Sequence, residues 1–429
     1  MADNLAIAKK VGIIGLGYVG LPLALLFVSK NFEVIGIDAN QSKVDSLNNC
    51  TSYIPDIKDS DLKNAVKSGK LCVSTDYKKI EDADVIIICV PTPLNSNHTP
   101  DLQYLISVGN QLYSHLKQGQ LVILESSTYP GTTKNVLLPI LEKSNLVVGK
   151  EFYLGYSPER IDPGNESLPV SKIPKVVSGI TELCKDRVSE IYSEIFENIV
   201  LVSSTEAAEL TKLLENTYRF INISFINELA ILCDKLSLNV WEIIRAADSK
   251  PYGFSAFYPG PGIGGHCIPV DPLYLQWVAK QYGQDSEFIT ISDQLNHKII
   301  QYIAQSIKEL LPKENASVLI YGAAYKKNIN DARESSIFPL IKYFESWGIS
   351  VSYHDPFVPA IVAENKKYQS MPLTKEVLSN SDCVLLLTDH SEIPLEKIMN
   401  YATLIYDTRN ITEGKSGKAK IIRLGGGSK

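Results

Sequence analysis

A cysteine in a glycine-rich loop is the residue of this chain best suited to covalent chemistry. Cys267 lies in the segment 259–271, PGPGIGGHCIPVD, which holds too much glycine and proline for the interior of a helix or strand. A substrate can approach a thiol on such a loop, and Asp271, four residues later, could tune its surroundings. Most of the other six cysteines lie in apolar runs. A buried structural thiol is the alternative interpretation of Cys267 taken alone.

Two polar residues on a predicted helix, Lys212 and Asn216, are the next candidates for chemistry. The segment 204–236 has helical character throughout, and Lys212 and Asn216 are four residues apart within it, so they project from one face. An ordinary solvated lysine is the alternative. Polar side chains also stand within the apolar stretch that follows: Asn222, Ser224 and Asn227. Because buried polar groups need partners, this pattern predicts a central helix buried between domains.

The beginning of the chain has the pattern of a dinucleotide-binding unit. An apolar segment at 10–14 is followed by Gly15-Leu16-Gly17-Tyr18-Val19-Gly20, then by a predicted helix at 21–30 and a second strand at 32–38. Gly15 permits a tight turn, Gly17 lets the backbone approach a pyrophosphate, and Gly20 allows close packing of helix and strand. Asp38 would accept hydrogen bonds from a ribose diol and repel a 2′-phosphate, which favours NAD over NADP. A glycine-rich turn in an unrelated unit is the alternative.

Two further apolar runs, 84–90 and 121–124, predict that a parallel sheet continues. Thr92 and Thr128 follow these runs. Ligands of open α/β sheets lie beyond the carboxyl ends of the strands, so both threonines are expected where cofactor and substrate meet. A simple turn or helix cap is the alternative for each.

The C-terminal third repeats the opening architecture. Its predicted elements are a strand at 317–322, a helix at 335–347, a strand at 349–355 and a buried run at 381–388. The complete glycine fingerprint is missing, so a different nucleotide is expected here. Lys326, Lys327 and Arg333 follow the first strand, where they predict an anion site. The glycine-rich tail, 414–429, is predicted to be flexible.

The composition is that of a globular enzyme-sized chain. With 429 residues, 45% of them hydrophobic, it should form two or three domains. A net charge of −6 argues against general binding to nucleic acid or to anionic membranes. The seven cysteines and six histidines show neither disulfide-framework nor metal-ligand spacing. No signal segment or membrane-spanning run is evident, so the cytoplasm is the expected location.

Together these motifs identify a family. The chain resembles the UDP-glucose/GDP-mannose dehydrogenase family over nearly its whole length. The resemblance rests on residues 15–22, Ser157-Pro158-Glu159, Lys212 with Asn216, residues 264–267, Tyr325-Lys326 and residues 333–335. It implies an α/β fold in which two Rossmann-like doubly wound domains are joined by a central helical domain. The implied domains are an NAD-binding domain at 1–203, a helical dimerisation and catalytic-cysteine domain at 204–310, and a UDP-sugar-binding domain at 311–429.

The chemistry that the resemblance implies is a four-electron oxidation of a sugar C6 alcohol to a carboxylate, with two NAD⁺ consumed. A first hydride leaves C6, and the Cys267 thiolate attacks the resulting aldehyde to give a thiohemiacetal. A second hydride transfer gives a thioester, which water hydrolyses. Covalent capture retains the aldehyde, which explains why a dehydrogenase would need a cysteine.

The resemblance also implies roles for individual residues. Lys212, assisted by Asn216 and Asp271, matches residues that stabilise oxyanions or position water near C6. Thr128 matches a water-holding threonine, and Glu159 matches a general base for thioester hydrolysis. The implied cofactor-binding residues are Gly15, Gly17, Tyr18, Val19, Gly20, Asp38, Thr92, Thr128 and Arg333. The implied substrate-binding residues are Glu159, Arg160, Lys212, Asn216, Tyr258, Gly264, Lys326 and Arg409.

Two departures from the family pattern bear on the substrate. Val270 stands where the UDP-glucose branch commonly has lysine, and Pro163 stands where that branch has a second glutamate. The cysteine loop instead resembles the branch that oxidises UDP-N-acetylhexosamines. UDP-N-acetylglucosamine is the first expectation, followed by the galacto and manno epimers, with UDP-glucose as a further alternative. The product would feed surface polysaccharide synthesis.

Two functions of other classes remain open. One is a two-electron NAD-dependent dehydrogenase without a covalent step, which would form one NADH per turnover. The other is a non-catalytic nucleotide-sugar sensor, against which the joint presence of Cys267, Lys212, Asn216, Thr128 and Glu159 argues. The family resemblance further implies a homodimer or higher homo-oligomer.

Replacing Asp38 by Ala should weaken the preference for NAD over NADP, because the carboxylate that binds the ribose and repels a 2′-phosphate is lost. We expect the ratio of kcat/KM for the two cofactors to fall by roughly tenfold or more, as for loss of a hydrogen bond to a charged group. Asp45→Ala is the control, since Asp45 lies beyond the predicted strand end. An unchanged ratio would show that the ribose is recognised elsewhere.

Overall fold

The computed structural model describes residues 10–54, 57–95, 97, 99–160, 169–265, 267–311 and 315–427. Pro163 lies outside the described residues, as does the start of the chain. The chain forms two compact units. The first holds residues up to 215 together with Leu273–Gln284, and the second holds Asn216–Pro272 together with residues from 285 onward.

The first unit is built on an eight-stranded sheet with the order β3-β2-β1-β4-β5-β6-β7-β8. The strands are β1 Lys10–Ile14, β2 Glu33–Ile37, β3 Leu71–Ser74, β4 Val85–Ile88, β5 Leu121–Leu124, β6 Tyr153–Tyr156, β7 Lys175–Gly179 and β8 Ile199–Leu201. All neighbours are parallel except β6 and β7, which are antiparallel. The four strands predicted from apolar runs, β1, β2, β4 and β5, are confirmed as adjacent parallel strands.

Helices cover both faces of this sheet. They are α1 Gly20–Ser29, α2 Gln41–Asn48, α3 Asp59–Lys67, α4 Gln103–Leu112, α5 Leu138–Leu141 and α6 Glu182–Ser193, with 3₁₀ turns at Tyr77–Asp82, Glu142–Ser144 and Val170–Lys172 and a π-helical turn at Thr133–Leu137. Adjacent residues of β1 belong to two separate hydrophobic cores, one on each face of the sheet. Ile13 packs into one core and Ile14 into the other. Burial on both faces explains why the strands are unbroken apolar runs.

Four helices follow the first sheet: α7 Thr205–Leu236, α8 Val240–Asp248, α9 Asp271–Gln281 and α10 Glu287–Leu310. The long predicted helix is therefore confirmed as α7. Its burial is one-sided, however, since Tyr218, Phe225, Leu232 and Leu236 are 49–58% exposed. Within one chain only the opposite face, with Phe220, packs in the interior. No helix in the described part of the chain is long and apolar enough to cross a bilayer.

The second unit contains a five-stranded parallel sheet with the order β10-β9-β13-β14-β15. The strands are β9 Ser317–Tyr321, β10 Ser350–His354, β13 Cys383–Leu386, β14 Leu404–Asp407 and β15 Lys420–Arg423, with β11 Ala360–Ala363 and β12 Lys366–Gln369 forming a separate hairpin. The helices between them are α11 Ile337–Ser346, α12 Lys375–Asn380 and α13 Leu395–Tyr401. The predicted second Rossmann-like unit is thus confirmed.

The predicted flexible tail is wrong, because the chain there forms β15 and packs against the central helices. Leu424 is fully buried, and its carbonyl accepts a hydrogen bond from Trp241 Nε1 at 2.9 Å. Gly427 has φ +70°, and a Cβ there would lie 2.7 Å from the backbone of Leu238. The glycines therefore permit close approach to the turn after α7.

Candidate active site

The glycine loop after β1 combines tight packing with open space. The Gly15 N–H donates to Ile37 O at 2.8 Å, and Gly15 has φ +92°. A Cβ at Gly15 would lie 2.6 Å from Cys89 O, and one at Gly20 would lie 1.9 Å from Gly15 O. A Cβ at Gly17 would meet no atom within 4 Å. The loop thus leaves room at Gly17, just before α1, where a pyrophosphate can approach backbone amides.

Asp38 lies directly after β2 and stabilises the same loop. Its Oδ2 accepts from Leu16 N at 3.0 Å, and its Oδ1 accepts from Asn40 N at 2.9 Å. Burial, and secondarily the Asp38 charge, raises the pKa of Tyr77 to about 12. A carboxylate has about four acceptor positions, so Asp38 retains capacity for ribose hydroxyls. Tyr18 and Val19, the other predicted contacts in this loop, lie just before α1 and are partly buried.

Thr92 and Thr128 lie at the carboxyl edge of the neighbouring strands β4 and β5. Thr92 Oγ1 donates a hydrogen bond to the carbonyl of Ser127, which joins the two loops directly. The fully buried Thr128 donates to Thr132 Oγ1 at 2.6 Å. Because that bond uses the Thr128 proton, its oxygen can act as an acceptor toward water.

Glu209, on α7, holds the turn that follows Thr128. Its Oε2 accepts from Gly131 N at 2.5 Å, and its Oε1 accepts from the Thr133 N–H at 2.8 Å and the Thr133 hydroxyl at 2.7 Å. Glu209 is fully buried. Burial raises the pKa of its carboxyl to about 7, although these hydrogen bonds act in the opposite direction. Glu209 was not predicted as a functional residue, although an acid three residues before Lys212 on one helix face was a signal.

Lys212 is buried and fixes the main chain at Glu159. Its Nζ donates to Glu159 O at 2.5 Å, so α7 directly supports the loop that carries this candidate base. Arg160, predicted to bind substrate, pairs with Glu215 at 2.7 Å and donates to Pro174 O at 2.7 Å. These contacts place Glu159, Arg160 and Lys212 together at one end of the first sheet.

Asn216 and Asp271 form one cluster with the cysteine loop in the second unit. Asn216 Nδ2 donates to Asp271 Oδ2 at 2.6 Å, and both side chains are buried. The Asp271 N–H donates to Cys267 O at 2.8 Å, so Cys267 lies one turn before helix α9. Cys267 itself is partly exposed. The Cys267 main chain is therefore fixed through Asp271 to the long helix α7.

The glycines of the cysteine loop pack against the loop after β9. The Gly265 N–H donates to Arg333 O at 3.0 Å. A Cβ at Gly264 would lie 2.7 Å from Glu334 O, and one at Gly265 would lie 2.7 Å from the Tyr325 ring. Any side chain at these positions would separate the two loops. Arg333, a predicted cofactor contact, pairs with Asp331 at 2.6 Å.

Arg409 lies beside the same loops. A small cleft is lined by Pro261, Gly262, Gly264, Ala324, Tyr325, Ser335, Ser336, Leu387, Thr388 and Arg409. Arg409 Nε donates to Leu387 O at 3.0 Å, which orients the guanidinium. Lys326 follows Tyr325 and is partly exposed, so it lies in the loop that lines this cleft. Tyr258, another predicted substrate contact, stacks on Trp241 at 5.9 Å between ring centroids.

Asp355 organises the loop that carries Lys326. Its two oxygens accept from four backbone N–H groups, those of Ala323, Ala324, Phe357 and Val358. His390 Nε2 lies 3.1 Å from Asp355 Oδ2, and His390 Nδ1 accepts from Asn328 N at 3.0 Å. His390 therefore bridges Asp355 and the Asn328 amide, which fixes the loop after β9. Within the described residues, no group of three His, Cys, Asp or Glu side chains could hold a metal ion.

Comparison with known proteins divides the chain into three segments. Residues 9–196 match the NAD binding domain of the UDP-glucose/GDP-mannose dehydrogenase family, residues 206–298 match its central domain, and residues 319–414 match its UDP binding domain. The chain belongs to this family. It is accordingly an NAD-dependent nucleotide-sugar dehydrogenase.

Relatives of this dehydrogenase carry two substrate names. A UDP-N-acetyl-D-glucosamine 6-dehydrogenase of Salmonella typhi is 35% identical over 89% of this chain and 90% of its own. A UDP-N-acetyl-D-mannosamine dehydrogenase of Methanococcus maripaludis is 34% identical over 98% of both chains. The structure of a UDP-D-ManNAc dehydrogenase from Pyrococcus horikoshii superposes with a TM-score of 0.87 at 30% identity, covering 97% of this chain and 99% of that one.

NAD fits the loop geometry of the first unit. The open space at Gly17 and the helix start at Gly20 would accommodate the pyrophosphate, and the Asp38 carboxylate would accept hydrogen bonds from the ribose. When bound, NAD supplies the hydride acceptor of the dehydrogenase. Arg409 belongs to the segment that matches the UDP binding domain, and the cleft beside it is also lined by Pro261, Gly262 and Gly264 of the central-domain segment. A guanidinium suits recognition of phosphate.

The buried Glu209 carboxyl should make stability fall as pH rises. Its folded pKa of about 7 lies above the ordinary 4.5, so the folded protein holds the proton more tightly. The contribution is fully present below about pH 4.5 and is lost through pH 7, by on the order of 3 kcal/mol. Urea unfolding of wild type and Glu209→Gln at pH 5 and pH 8 should show the variant gaining relative stability at pH 8. Glu206→Gln, whose wild-type carboxylate is partly exposed beside Lys134, should show no such gain.

Proposed function

We propose that this dehydrogenase oxidises the C6 alcohol of a UDP-N-acetylhexosamine, foremost UDP-N-acetylglucosamine, to the uronic acid through covalent intermediates on Cys267. The observation that carries the proposal is the cysteine loop. Cys267 is partly exposed, its main chain is fixed by Asp271, and Asp271 is held by Asn216 on α7. A simple hydride-transfer site would have no use for a positioned thiol.

In this mechanism the thiolate of Cys267 attacks the C6 aldehyde left by the first oxidation. A C–S bond forms, the carbonyl oxygen takes up a proton, and the resulting thiohemiacetal keeps the sugar on the enzyme for the second oxidation. Lys212 is the charged donor that stabilises developing negative charge on oxygen, with Asn216 as a neutral donor. Burial of both residues on α7 supports this role, since electrostatic stabilisation is stronger away from water.

Hydrolysis of the thioester completes the reaction. Water adds to the thioester carbonyl, Glu159 accepts a proton from that water, and the C–S bond breaks to return the thiol. Thr128 holds the water through the acceptor capacity left by its bond to Thr132. Because Pro163 replaces the second glutamate of the UDP-glucose branch, Glu159 is the single carboxylate assigned to this step.

UDP-N-acetylmannosamine is the second candidate substrate. It is supported by the name of the Methanococcus maripaludis relative and by the Pyrococcus horikoshii structure. The near-equal identities of relatives with the two names do not favour either epimer. Parallel assays with UDP-N-acetylglucosamine, UDP-N-acetylgalactosamine, UDP-N-acetylmannosamine and UDP-glucose decide between them by kcat/KM. Fastest turnover of UDP-glucose would overturn the N-acetylhexosamine assignment.

The covalent route predicts two NADH per limiting sugar and dependence on Cys267. Cys267→Ser should reduce acid formation by on the order of a thousandfold or more, because a hydroxyl is a far weaker nucleophile at neutral pH. Nucleotide-sugar binding, measured by calorimetry, should be largely unchanged. Cys72→Ser, at an exposed cysteine, is the matched control. One NADH per sugar, or full acid production by Cys267→Ser, would place the protein among simple two-electron dehydrogenases.

We further propose that the protein is a homodimer built on α7. Four apolar side chains, Tyr218, Phe225, Leu232 and Leu236, recur at spacings of seven, seven and four residues and form one exposed stripe. A groove beside the stripe is lined by Tyr218, Asn222, Phe225, Ile226, Gly253, Phe254, Ser255 and Phe257. An apolar stripe continuous with an aromatic groove is typical of a subunit interface. A second copy of this chain is the occupant that matches the family resemblance.

Phe225→Asp should convert the dimer to a monomer, because it places a carboxylate at the centre of the apolar stripe. Light scattering coupled to size-exclusion chromatography measures the mass directly. Tyr282→Asp changes an 86% exposed ring away from the stripe and should leave the mass of a dimer unchanged. A wild-type mass equal to that of one chain would refute the dimer.

A further inference from the structure

The loop that carries Glu159 is tied by side-chain hydrogen bonds to two other segments, residues 174–176 and helix α7. Ser157 Oγ donates to Val176 O at 2.7 Å, and Arg160 Nη1 donates to Pro174 O at 2.7 Å. Lys212 Nζ donates to Glu159 O at 2.5 Å. An irregular loop has no ladder of backbone partners, so contacts of this kind determine its conformation. Each displaced contact would therefore move the Glu159 carboxylate.

A further contact to this loop comes from a buried ion pair. Lys175, the first residue of β7, places its Nζ 3.5 Å from Pro158 O and 3.0 Å from Glu125 Oε1. The side chains of Lys175 and Glu125 are 3% and 0% exposed. Tyr192 donates its hydroxyl proton to Glu125, and the Lys175 ammonium lies 5.0 Å from the centre of the Tyr192 ring. The Lys175 ammonium is therefore enclosed by the Pro158 carbonyl, the Glu125 carboxylate and the Tyr192 ring.

A buried ion pair of this kind contributes little to the stability of the fold. Removing two charges from water is costly, and a well-packed apolar pair of similar volume is often as stable or more stable. Glu125 Oε2 has no hydrogen-bond partner among the residues that the structure describes, which adds to the cost. Burial raises the pKa of the Glu125 carboxyl, and the Lys175 ammonium opposes that shift. The pair therefore points to a role other than stability.

The Glu125–Lys175 ion pair adjoins both segments that our proposal assigns to thioester hydrolysis, the Thr128 turn and the Glu159 loop. Glu125 directly follows β5 and precedes Thr128 by three residues on the same turn. Lys175 touches the carbonyl of Pro158, the neighbour of Glu159. The ion pair accordingly joins the segment that holds the water to the segment that holds the base.

We propose that Lys175, fixed by Glu125, is a positioning residue that sets the Glu159 loop against the Thr128 turn for thioester hydrolysis. The inference rests on the proposed function. Lys175 touches no reacting atom, and its ammonium acts through the Pro158 carbonyl. Loss of this contact leaves both oxidations in place but moves the general base away from the water, and misplacement by about 1 Å can cost on the order of a hundredfold.

The test separates oxidation from hydrolysis. Lys175→Met should lower steady-state kcat by at least roughly tenfold while leaving KM for the UDP-sugar within about threefold. A rapid burst of two NADH per active site should precede the slow steady state, because both oxidations finish before hydrolysis. Intact mass spectrometry should then detect the uronyl thioester on Cys267. A variant with reduced kcat but neither burst nor adduct would overturn the positioning role.

Folding is controlled by a second variant. Lys175→Met leaves Glu125 buried without its cation, which can destabilise the chain. The double variant Glu125→Gln with Lys175→Met removes both charges and should fold, yet it should show the same burst and adduct. Tyr192→Phe is the matched control, since it removes a hydrogen bond to Glu125 but leaves the ion pair and the Pro158 contact.

The outcomes distinguish the two proposals. Wild type that forms one NADH per sugar and no thioester refutes the covalent function, whatever Lys175 does. Wild type that forms two NADH, with full hydrolysis in the double variant, refutes the positioning role alone. A double variant in which KM rises and kcat is unchanged also refutes it, because the contact would then serve ground-state binding.

Discussion

Buried carboxylates that accept backbone N–H groups hold the loops on which this protein depends. Asp38 binds the amides of Leu16 and Asn40, and Glu209 binds those of Gly131 and Thr133. Irregular loops at the carboxyl ends of strands lack ladder partners, so their amides need other acceptors. A charged acceptor forms stronger hydrogen bonds than a neutral one, which favours acids at these positions. The glycine loop and the Thr128 turn are therefore shaped from the interior.

Both Rossmann-like units hold a glycine turn with a buried aspartate, but the two aspartates differ in the number of hydrogen bonds that they accept. Asp38 and Asp355 both follow the second strand of their unit, and each accepts from the residue after a glycine with positive φ. Asp355 is saturated by four amides and His390, whereas Asp38 accepts from two amides. This difference agrees with one NAD binding domain and one UDP binding domain.

Cys267 lies outside helices and strands, in a loop whose packing requires glycine. A Cβ at Gly264 or Gly265 would lie 2.7 Å from Glu334 O or from the Tyr325 ring, so only residues without side chains fit here. The loop that carries Cys267 is consequently packed on the loop that carries Lys326. In our proposal these loops receive the sugar and the nucleotide of one substrate, and their direct packing fixes the distance between the two.

The sequence alone determined the features that depend on local pattern. Unbroken apolar runs predicted β1, β2, β4 and β5 because strands buried on two faces need no alternation. The glycine fingerprint and Asp38 predicted the cofactor because each glycine has a local steric reason: a tight turn, close approach to the pyrophosphate, or close packing of helix and strand. The tertiary structure decided what depends on residues far apart in the chain. Such features are the antiparallel β7, the packing of β15, the Glu209 contacts and the buried pair of Glu125 with Lys175. A buried charge is recognisable only with its partner, and that partner is chosen by folding rather than by spacing.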